Sequence, residues 1–253
     1  MRFTSLGSGS SGNALVVESG TTRVMMDCGF AVGETRMRLE RSGLSPRDIT
    51  AIVVTHEHDD HMGGVARFAK HHAIPVYLTR GTAQWLPEDF PAVLVRYIES
   101  HAPFAIGGLE VDPFPVPHDA REPVQYAFSD GSARLGVATD LGCITQHVVE
   151  KLSGCSALVV ETNHDLDMLM GGPYPPSLKH RVAGRFGHLD NGVARCLVES
   201  LERSGLKHLI AAHLSKQNNT RELAVAALAQ GAGCEHEWVG VATQEDGFGW
   251  RDA

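Results

Sequence analysis

The segment Thr55–Gly64 carries side chains of the types that bind divalent metal ions. It reads T-H-E-H-D-D-H-M-G-G and follows the apolar run A-I-V-V, so that six consecutive positions hold His56, His58, Asp60 and His61. Imidazole nitrogen and carboxylate oxygen are common ligands of zinc, manganese and iron. The chain has 14 His in 253 residues, and three His and one Asp at these offsets should arise by chance roughly once in a few hundred such chains. The pattern therefore predicts a metal site rather than a solvated acidic turn.

Three further candidate ligands follow other predicted strands. His118 comes after V-D-P-F-P-V-P, Asp140 closes L-G-V-A-T, and His213 closes L-I-A-A. Open α/β sheets place ligands just beyond the carboxyl ends of their strands. Any one of these residues alone would more often be an ordinary surface loop residue. Together with the first four they supply enough donors for two metals.

Apolar runs of strand length predict the β-sheet that would position these candidate ligands. Strands are predicted at 14–17, 24–26, 51–54, 135–138 and 157–160. The last three runs are nearly continuous, which indicates strands that are buried on both faces. Strands alternate with helix-like segments along the chain, and this alternation is typical of the α/β class.

Helical spacing of apolar residues predicts three helices, at 62–71, 191–203 and 220–230. Gly205 is expected to cap the end of the second helix, and Asn219 or Thr220 the start of the third. The segment Glu235–Thr243 is predicted to be a closing strand.

One Gly/Ser-rich stretch, G-S-G-S-S-G-N at 7–13, lies between two strand-like runs. Glycine accepts positive φ, so a tight hairpin turn is the first interpretation. The alternative is a small anion-binding nest near the metal site. No Lys of the phosphate-loop kind follows the stretch, which favours the plain turn.

The bulk properties predict one domain spanning 1–253, since no linker-like segment divides the chain. A hydrophobic content of 43% is sufficient for a sizeable core, and the apolar runs are too short to span a membrane. The first residues lack the apolar region of an export signal, and the five Cys are scattered. A reducing, cytoplasmic location without membrane contact is therefore expected.

The net charge is −8, from 30 acidic and 22 basic residues. This argues against a protein that coats nucleic acid electrostatically. It does not argue against a nucleic-acid enzyme, because bound divalent cations would offset carboxylates at the point where phosphate arrives.

The candidate ligands occur along the chain as H-x-H-x-D-H followed by His, Asp and His. This order resembles that of the metallo-β-lactamase superfamily, and the resemblance extends over nearly the whole chain. M-M-D-C-G at 25–29 is similar to the opening pattern of that family. The resemblance implies an α/β fold, the metallo-β-lactamase-type αββα four-layer sandwich. By the same resemblance, one metal is held by His56, His58 and His118 and the other by Asp60, His61 and His213. Asp140 would bridge the metals, and Asp27 would accept a hydrogen bond from a ligating imidazole and set its tautomer.

Longer strings are similar to a narrower branch, the YycJ/WalJ-type metallohydrolases. They are S-L-G-S-G-S-S-G-N at 5–13, P-H-D-A-x-E-P at 117–123, A-T-D-L-G at 138–142, E-T-N-H-D at 161–165, P-Y-P-x-S-L-K at 173–179, G-H-L-D-N at 187–191 and H-L-S-K-x-N-N at 213–219. The resemblance implies a cytosolic bacterial protein with 5′→3′ exonuclease activity on DNA. Asp59 departs from the pattern, where a small polar residue is expected, and its side chain is predicted to face solvent.

The donor set suits hydrolysis of a phosphodiester. Two metals about 3.5–4 Å apart hold a bridging hydroxide and polarise a phosphoryl oxygen, so a nucleophile exists at neutral pH. Asp60 and Asp140 would orient this nucleophile as well as ligate. His188, in F-G-H-L-D-N, is the candidate for phosphate binding or general acid, because related phosphodiesterases of the superfamily place a histidine just before a helix here. The alternative for His188 is an ordinary residue flanking a helix, and Glu161, His164 and Asp165 receive no role.

A basic cluster inside the acidic chain is the candidate surface for nucleic acid. It comprises Lys179, His180, Arg181 and Arg185, with Lys216 and Arg221 as possible additions. These side chains could follow a phosphate backbone. The alternative is a solvated helix face.

The hypothesis is therefore a dinuclear metal-dependent phosphodiester hydrolase, a DNA 5′→3′ exonuclease whose partner is nucleic acid. The competing hypothesis is a small-molecule metallohydrolase of the same fold, acting on thioesters as glyoxalase II does or on β-lactams. A flavin-linked oxidoreductase would need an attached flavin domain, for which 253 residues leave no room. Two divalent ions per chain are expected, with zinc favoured over manganese or iron, since imidazole and carboxylate suit all three. The oligomeric state is left open.

Overall fold

Two seven-stranded mixed β-sheets form the centre of the molecule in the computed structural model, which describes residues 1–253. Fourteen strands contribute: β1 (Arg2–Gly7), β2 (Ala14–Ser19), β3 (Thr22–Met26), β4 (Ala51–Val53), β5 (Val76–Leu78), β6 (Val95–Tyr97), β7 (Phe104–Ile106), β8 (Leu109–Pro115), β9 (Val124–Ser129), β10 (Arg134–Ala138), β11 (Ala157–Glu161), β12 (His208–Ala212), β13 (Val239–Val241) and β14 (Phe248–Asp252). The first sheet has the order β14-β1-β2-β3-β4-β5-β6 and the second has the order β13-β12-β11-β10-β9-β8-β7.

Each sheet combines antiparallel strands on one side with parallel strands on the other. In the first sheet β3 to β6 are parallel, and in the second sheet β10 to β13 are parallel. Parallel strands bring their carboxyl ends to one edge of a sheet, where open α/β folds place their ligands. The ends of β3, β4, β10, β11 and β12 are therefore the positions from which a shared site can be built.

Nine helices accompany the sheets: α1 (Val32–Arg41), α2 (Asp59–Met62), α3 (Val65–His72), α4 (Arg80–Ala83), α5 (Gln146–Leu152), α6 (Leu166–Gly171), α7 (Pro176–Val182), α8 (Asn191–Ser200) and α9 (Arg221–Ala232). Short 3₁₀ turns cover 46–48, 92–94 and 236–238. None of these helices combines the length and the apolar character that a membrane crossing requires.

Three buried clusters show how the layers stack. One cluster of 23 residues lies between the two sheets and draws on both, for example Val17 and Val53 from the first and Val137 and Ile210 from the second. A second cluster packs α1 and α3 on the outer face of the first sheet, and a third packs α5, α8 and α9 on the outer face of the second. Helices thus cover both outer faces, and the predicted αββα sandwich is confirmed.

The strands predicted from apolar runs are all present, but the helix predicted at 62–71 is interrupted. Gly63 and Gly64 separate α2 from α3. A Cβ at Gly64 would lie 1.9 Å from the carbonyl oxygen of Phe30, so the chain segments meet too closely for a side chain there. Two of the candidate ligands, Asp60 and His61, therefore lie on the separate short helix α2.

Two further expectations were wrong in detail. Helix α8 ends at Ser200 rather than near Gly205, because Leu201 turns extended (φ −80°, ψ 146°) and buries its side chain. Within the segment 235–243 a 3₁₀ turn at 236–238 precedes the short strand β13, and the chain closes instead with β14 beside β1. Helix α9 begins as expected, with the Thr220 hydroxyl accepting the backbone N–H of Leu223.

Candidate metal centre

The structure brings all seven predicted ligands together at one edge of the two sheets. His56 and His58 lie in the turn after β4, Asp60 and His61 lie in α2, and the others follow strands of the second sheet. Four sets have donor atoms within 4.8 Å of one another: His56 with His58 and His118, His56 with His61 and Asp140, Asp60 with His61 and His213, and Asp140 with Glu161, His188 and His213. Asp59 is exposed, as expected.

An unusual backbone conformation positions three residues of this cluster. Asp27, Asp140 and His213 have φ of 61°, 55° and 56°, and each stands one or two positions beyond a strand. The only other non-glycine residue with positive φ is Ala73, at the end of α3. This left-handed region is sparsely populated by residues with a Cβ, and such conformations concentrate at functional sites. The sharp turn keeps these side chains at the strand ends.

Three histidine nitrogens form a group of the size that a small cation requires. Nε2 of His56 lies 3.1 Å from Nδ1 of His58, which lies 3.3 Å from Nε2 of His118. A tetrahedral site with metal–nitrogen bonds of about 2.0–2.1 Å has ligand–ligand edges of roughly 3.3–3.4 Å. The two distances from His58 therefore match tetrahedral edges, and the nitrogens of His56 and His118 lie within 4.8 Å of each other.

Hydrogen bonds to the outer ring nitrogens set the tautomers of His56 and His118. Nδ1 of His118 donates to the carbonyl oxygen of Gly187 at 3.0 Å. Nδ1 of His56 donates to the Thr55 hydroxyl at 2.9 Å, which in turn donates to Asp27. With Nδ1 protonated, a neutral imidazole directs its Nε2 lone pair inward, as a metal ligand must.

The same arrangement recurs at His61 and His213. Nδ1 of His61 donates to Asp27 Oδ2 at 2.8 Å, and Nδ1 of His213 donates to Glu161 Oε1 at 3.1 Å. Nε2 of His61 then faces Asp140 Oδ2 at 3.0 Å, an oxygen that is buried without a hydrogen-bond donor. A second proton on His61 would satisfy this oxygen, and burial would lower the pKa of His61 but the surrounding carboxylates raise it. A divalent metal would take the place of that proton.

Buried negative charge gives the cluster its affinity for cations. Every ion pair of Asp27, Asp60, Asp140 and Glu161 is with a histidine, and none involves Lys or Arg. Burial alone would lower the pKa of His213, but the surrounding carboxylates outweigh it and raise this pKa to about 10. Buried charges require compensation. The donor set and its charge together support divalent metal binding.

Glu161 is one of three residues that sequence reasoning left without a role. Its side chain is fully buried, and its Oε1 accepts hydrogen bonds from Nδ1 of His188 at 2.8 Å and of His213 at 3.1 Å. Oε2 accepts the backbone N–H groups of Leu141 and Leu189 at 2.9 and 3.0 Å. Burial would raise the pKa of Glu161, but these partners, above all His188, lower it to about 2. The sequence did offer one signal for this role, because Glu161 is a carboxylate at the end of an otherwise apolar strand, where the candidate ligands also lie.

His188 lies beside the cluster with one ring nitrogen unused by the protein. Its Nδ1 is 2.8 Å from Glu161 and 3.6 Å from Asp140 Oδ1, which leaves Nε2 free, and the side chain is partly exposed. Burial alone would lower the pKa of His188, but the carboxylates of Glu161 and Asp140 raise it. Asp190, not His188, caps α8 by accepting the N–H groups of Gly192 and Val193. The arrangement can hold a proton next to a substrate oxygen.

Asn13, at the end of the Gly/Ser stretch, was also missed. Its backbone N–H donates to the Asp60 carbonyl at 2.7 Å, and its Nδ2 lies 3.1 Å from Nε2 of His61. The stretch is the hairpin connection between β1 and β2, as expected, and it also forms one wall of the site. An amide that ends a glycine-rich turn was the only local signal.

Two cations of the predicted basic cluster are bound by other groups of the protein. Arg181 forms an ion pair with Asp119 at 2.6 Å, and Lys179 donates to the carbonyl of Met170 at 2.6 Å. Arg185 is exposed and makes no ion pair. Lys216 follows His213 instead and lines a separate cavity beside the Gly/Ser stretch.

Comparison with known proteins relates the chain to the same family by a family model and by individual relatives. The family model described as Beta-lactamase superfamily domain matches residues 22–214. The exodeoxyribonuclease YycJ of Bacillus anthracis is 33% identical over 261 residues, which cover all of this chain and 93% of that protein. The exodeoxyribonuclease WalJ of Streptococcus pneumoniae serotype 2 is 29% identical over 88% of this chain and 85% of that protein.

Solved structures share the fold at low sequence identity. The metallo-β-lactamase fold protein YhfI from Bacillus subtilis has a TM-score of 0.76 at 14% identity and covers 100% of this chain and 99% of that chain. Zinc-bound PqqB from Methylobacterium extorquens has a TM-score of 0.74 at 17% identity, with full coverage of both chains.

Proposed function

The chain belongs to the metallo-β-lactamase superfamily, and from this premise we propose that it is a dinuclear metal-dependent phosphodiester hydrolase, a DNA 5′→3′ exonuclease. The relatives YycJ and WalJ, matched along most of their length, are named exodeoxyribonucleases, and these names support DNA as the substrate class. The observation that carries the proposal is the Glu161–His188 pair, which holds a proton donor beside the predicted ligand Asp140.

The donor groups support two metal positions. His56, His58 and His118 would hold one ion, Asp60, His61 and His213 the other, and Asp140 would be shared. Imidazole nitrogen and carboxylate oxygen as donors favour zinc, while manganese and iron accept the same donors. When bound, two divalent ions supply Lewis-acid charge and lower the pKa of a water molecule towards neutrality.

The protein's own residues then orient the reacting groups. In phosphodiester hydrolysis a water molecule releases one proton to solvent and its oxygen bonds to phosphorus, the bond to the leaving sugar oxygen breaks, and that oxygen takes up a proton. The carboxylates of Asp60 and Asp140 orient the attacking water. His188 donates the proton from Nε2, because Glu161 occupies Nδ1 and holds the ring towards the site.

The rim of the site suits a nucleic-acid strand. Phe186 is 62% exposed two residues before His188. Its backbone is held in place, since its carbonyl oxygen accepts the N–H of Asp119 at 3.0 Å. Arg185 adds a free positive charge next to it. Exposed aromatic rings beside cations are the stacking platforms that single-stranded nucleic acids use.

Substrate class is tested directly with three chromogenic or spectroscopic substrates. Purified protein is assayed with bis(p-nitrophenyl) phosphate, nitrocefin and S-lactoylglutathione, and with end-labelled single-stranded and duplex DNA. The proposal expects cleavage of the phosphodiesters alone and stepwise loss of nucleotides from the 5′ end. Turnover of nitrocefin or S-lactoylglutathione without phosphodiester cleavage would instead establish the small-molecule alternative.

Variants at the cluster test the assigned roles. Asp60→Ala and Asp140→Ala should abolish cleavage. His188→Ala should lower DNA cleavage by about 10²–10⁴-fold, yet lower bis(p-nitrophenyl) phosphate cleavage far less, because p-nitrophenolate leaves without a proton. Equal losses on both substrates, with metal content unchanged, would remove His188 from the role of proton donor.

A further inference from the structure

We infer that a cavity beside the metal cluster binds the terminal 5′-phosphate of a DNA strand, an inference that rests on the proposed nuclease function. The cavity has a volume of about 440 Å³ and lies between the Gly/Ser stretch and the segments 214–221 and 241–245. Pockets of roughly 300–1,000 Å³ accommodate small-molecule ligands. The cavity adjoins the cluster, because its lining residue Ser8 accepts the backbone N–H of His213 at 3.0 Å.

The lining of the cavity is positive although the chain is acidic. It contains three basic side chains, Arg38, Lys216 and Arg221, against one acidic side chain, Glu245. Lys216 and Arg221 are exposed and make no ion pair, so both charges are available to a ligand. Unpaired cations on a cavity rim form strong charge-assisted hydrogen bonds with phosphate.

Arg38 shapes the cavity rather than binding its occupant. Its guanidinium is paired with Glu34 at 2.7 Å and donates to the carbonyl oxygens of Leu6, Gln244 and Glu245. Gln244 in turn bonds the Gly/Ser stretch, because its Oε1 accepts the N–H of Ser11 at 2.7 Å. The cavity walls are therefore preorganised, which lowers the cost of binding.

Neutral donors complete a lining suited to phosphate. Hydroxyl groups come from Ser8, Ser10, Ser11, Ser215, Thr220 and Thr243. The hydroxyls of Ser10 and Ser11 are exposed and unused by other protein groups. Helix α9 begins at this wall, and the first N–H groups of a helix favour an anion. With only three of fifteen lining residues hydrophobic, the cavity suits a phosphomonoester better than an acyl chain.

The position of the cavity links end recognition to cleavage. A strand with its 5′-phosphate in this cavity would present its first phosphodiester to the cluster on the other side of Ser8 and His213. Such an enzyme shortens strands from the 5′ end and disfavours ends that carry a hydroxyl.

The test compares strands that differ only at the end. Values of kcat/KM are measured for one internally labelled single-stranded DNA bearing 5′-phosphate, 5′-hydroxyl or 3′-phosphate, and for bis(p-nitrophenyl) phosphate. Wild-type protein should prefer the 5′-phosphorylated strand by about 10- to 100-fold, the effect of losing charge-assisted hydrogen bonds. The double variant Lys216→Gln, Arg221→Gln should lose this preference and keep its rate on bis(p-nitrophenyl) phosphate. The matched control Arg36→Gln, Arg47→Gln removes two exposed cations near His72 and should retain the preference.

The outcomes separate this inference from the proposed function. Cleavage of bis(p-nitrophenyl) phosphate with no preference for a 5′-phosphate would overturn the cavity assignment alone. A preference for 3′-phosphate would also overturn it, because the bound end would then be the opposite one. Absence of any phosphodiester cleavage would remove the proposed function and with it this inference.

Discussion

Oε1 of Glu161 lies 2.8 Å from Nδ1 of His188, and the same oxygen accepts Nδ1 of His213 at 3.1 Å. One buried carboxylate thus holds both a predicted metal ligand and the proposed proton donor. Its other oxygen accepts two backbone N–H groups, so the carboxylate cannot rotate without breaking them. The distance between His188 and the cluster is therefore set by Glu161.

Glu161→Gln tests this positioning role. The amide presents N–H donors to a site where up to four donors already converge, so one histidine must turn away. We expect kcat on DNA to fall about 100-fold, with a smaller loss on bis(p-nitrophenyl) phosphate, measured alongside metal content. Glu122→Gln is the control, since Glu122 also accepts a backbone N–H, from Gly81 at 2.7 Å, outside the cluster. Equal losses on both substrates with metal content unchanged would contradict the role of Glu161 in positioning His188.

Asp27→Asn should weaken metal binding while preserving the fold. Asn tolerates the positive φ of this position, but its amide is a weaker acceptor for Nδ1 of His61. A loss of metal affinity of about 10–100-fold is expected, as measured by competition with a chromophoric chelator. Asp112→Asn removes a carboxylate that pairs with Arg134 and Lys151 and should leave metal affinity unchanged. Unaltered affinity in Asp27→Asn would contradict the assigned role.

Phe186→Ala tests the stacking platform. Stacking of a base on an aromatic ring contributes about 1–3 kcal/mol, so KM for single-stranded DNA should rise by about 5- to 150-fold, while turnover of bis(p-nitrophenyl) phosphate stays constant. Phe186→Trp should retain the wild-type KM. Trp85→Ala is a matched control because Trp85 has the same 62% exposure elsewhere on the surface. If both alanine variants behave alike, Phe186 has no special contact with the strand.

Metal removal should lower the melting temperature. The buried carboxylates of the cluster lose their compensating charge when a chelator strips the ions. A ligand present at 100 times its Kd stabilises by about 2.7 kcal/mol, which for a chain of this size corresponds to a shift of roughly 5–10 °C. Differential scanning calorimetry measures this shift in melting temperature by comparing protein in EDTA with protein after zinc addition. Asp140→Ala should show a smaller shift, and an identical shift would place the stabilising ions elsewhere.

Glu18 should make stability depend on acid pH. It lies between Arg2 and Arg23, and although burial would raise its pKa, hydrogen bonds from both guanidinium groups lower it. A lowered folded-state pKa contributes stability that is present above the unfolded value of about 4.3 and is lost as pH falls through the folded value. Glu18→Gln should therefore be destabilised by about 1–3 kcal/mol at pH 7. The difference from wild type should shrink below about pH 4. The exposed Glu40→Gln should show little change at any pH.

The sequence by itself determined the fold class and the predicted ligand set. His56, His58, Asp60 and His61 are grouped by local spacing in a turn, and a turn keeps its residues together whatever the rest of the chain does. His118, Asp140 and His213 could be added because each closes an apolar run, and sheets collect their strand ends at one edge. Apolar runs of strand length likewise predicted five strands, all of which are present.

Only the tertiary structure decided how these residues are held. Glu161 meets His188 and His213 across separations of 27 and 52 residues, and Asn13 meets His61 across 48. No local pattern encodes such pairs, because packing of the two sheets selects which strand ends face each other. The ion pair of Arg181 with Asp119 and the pairing of β14 with β1 also result from long-range packing. Residue types supplied the chemistry, and long-range packing decided which atoms meet.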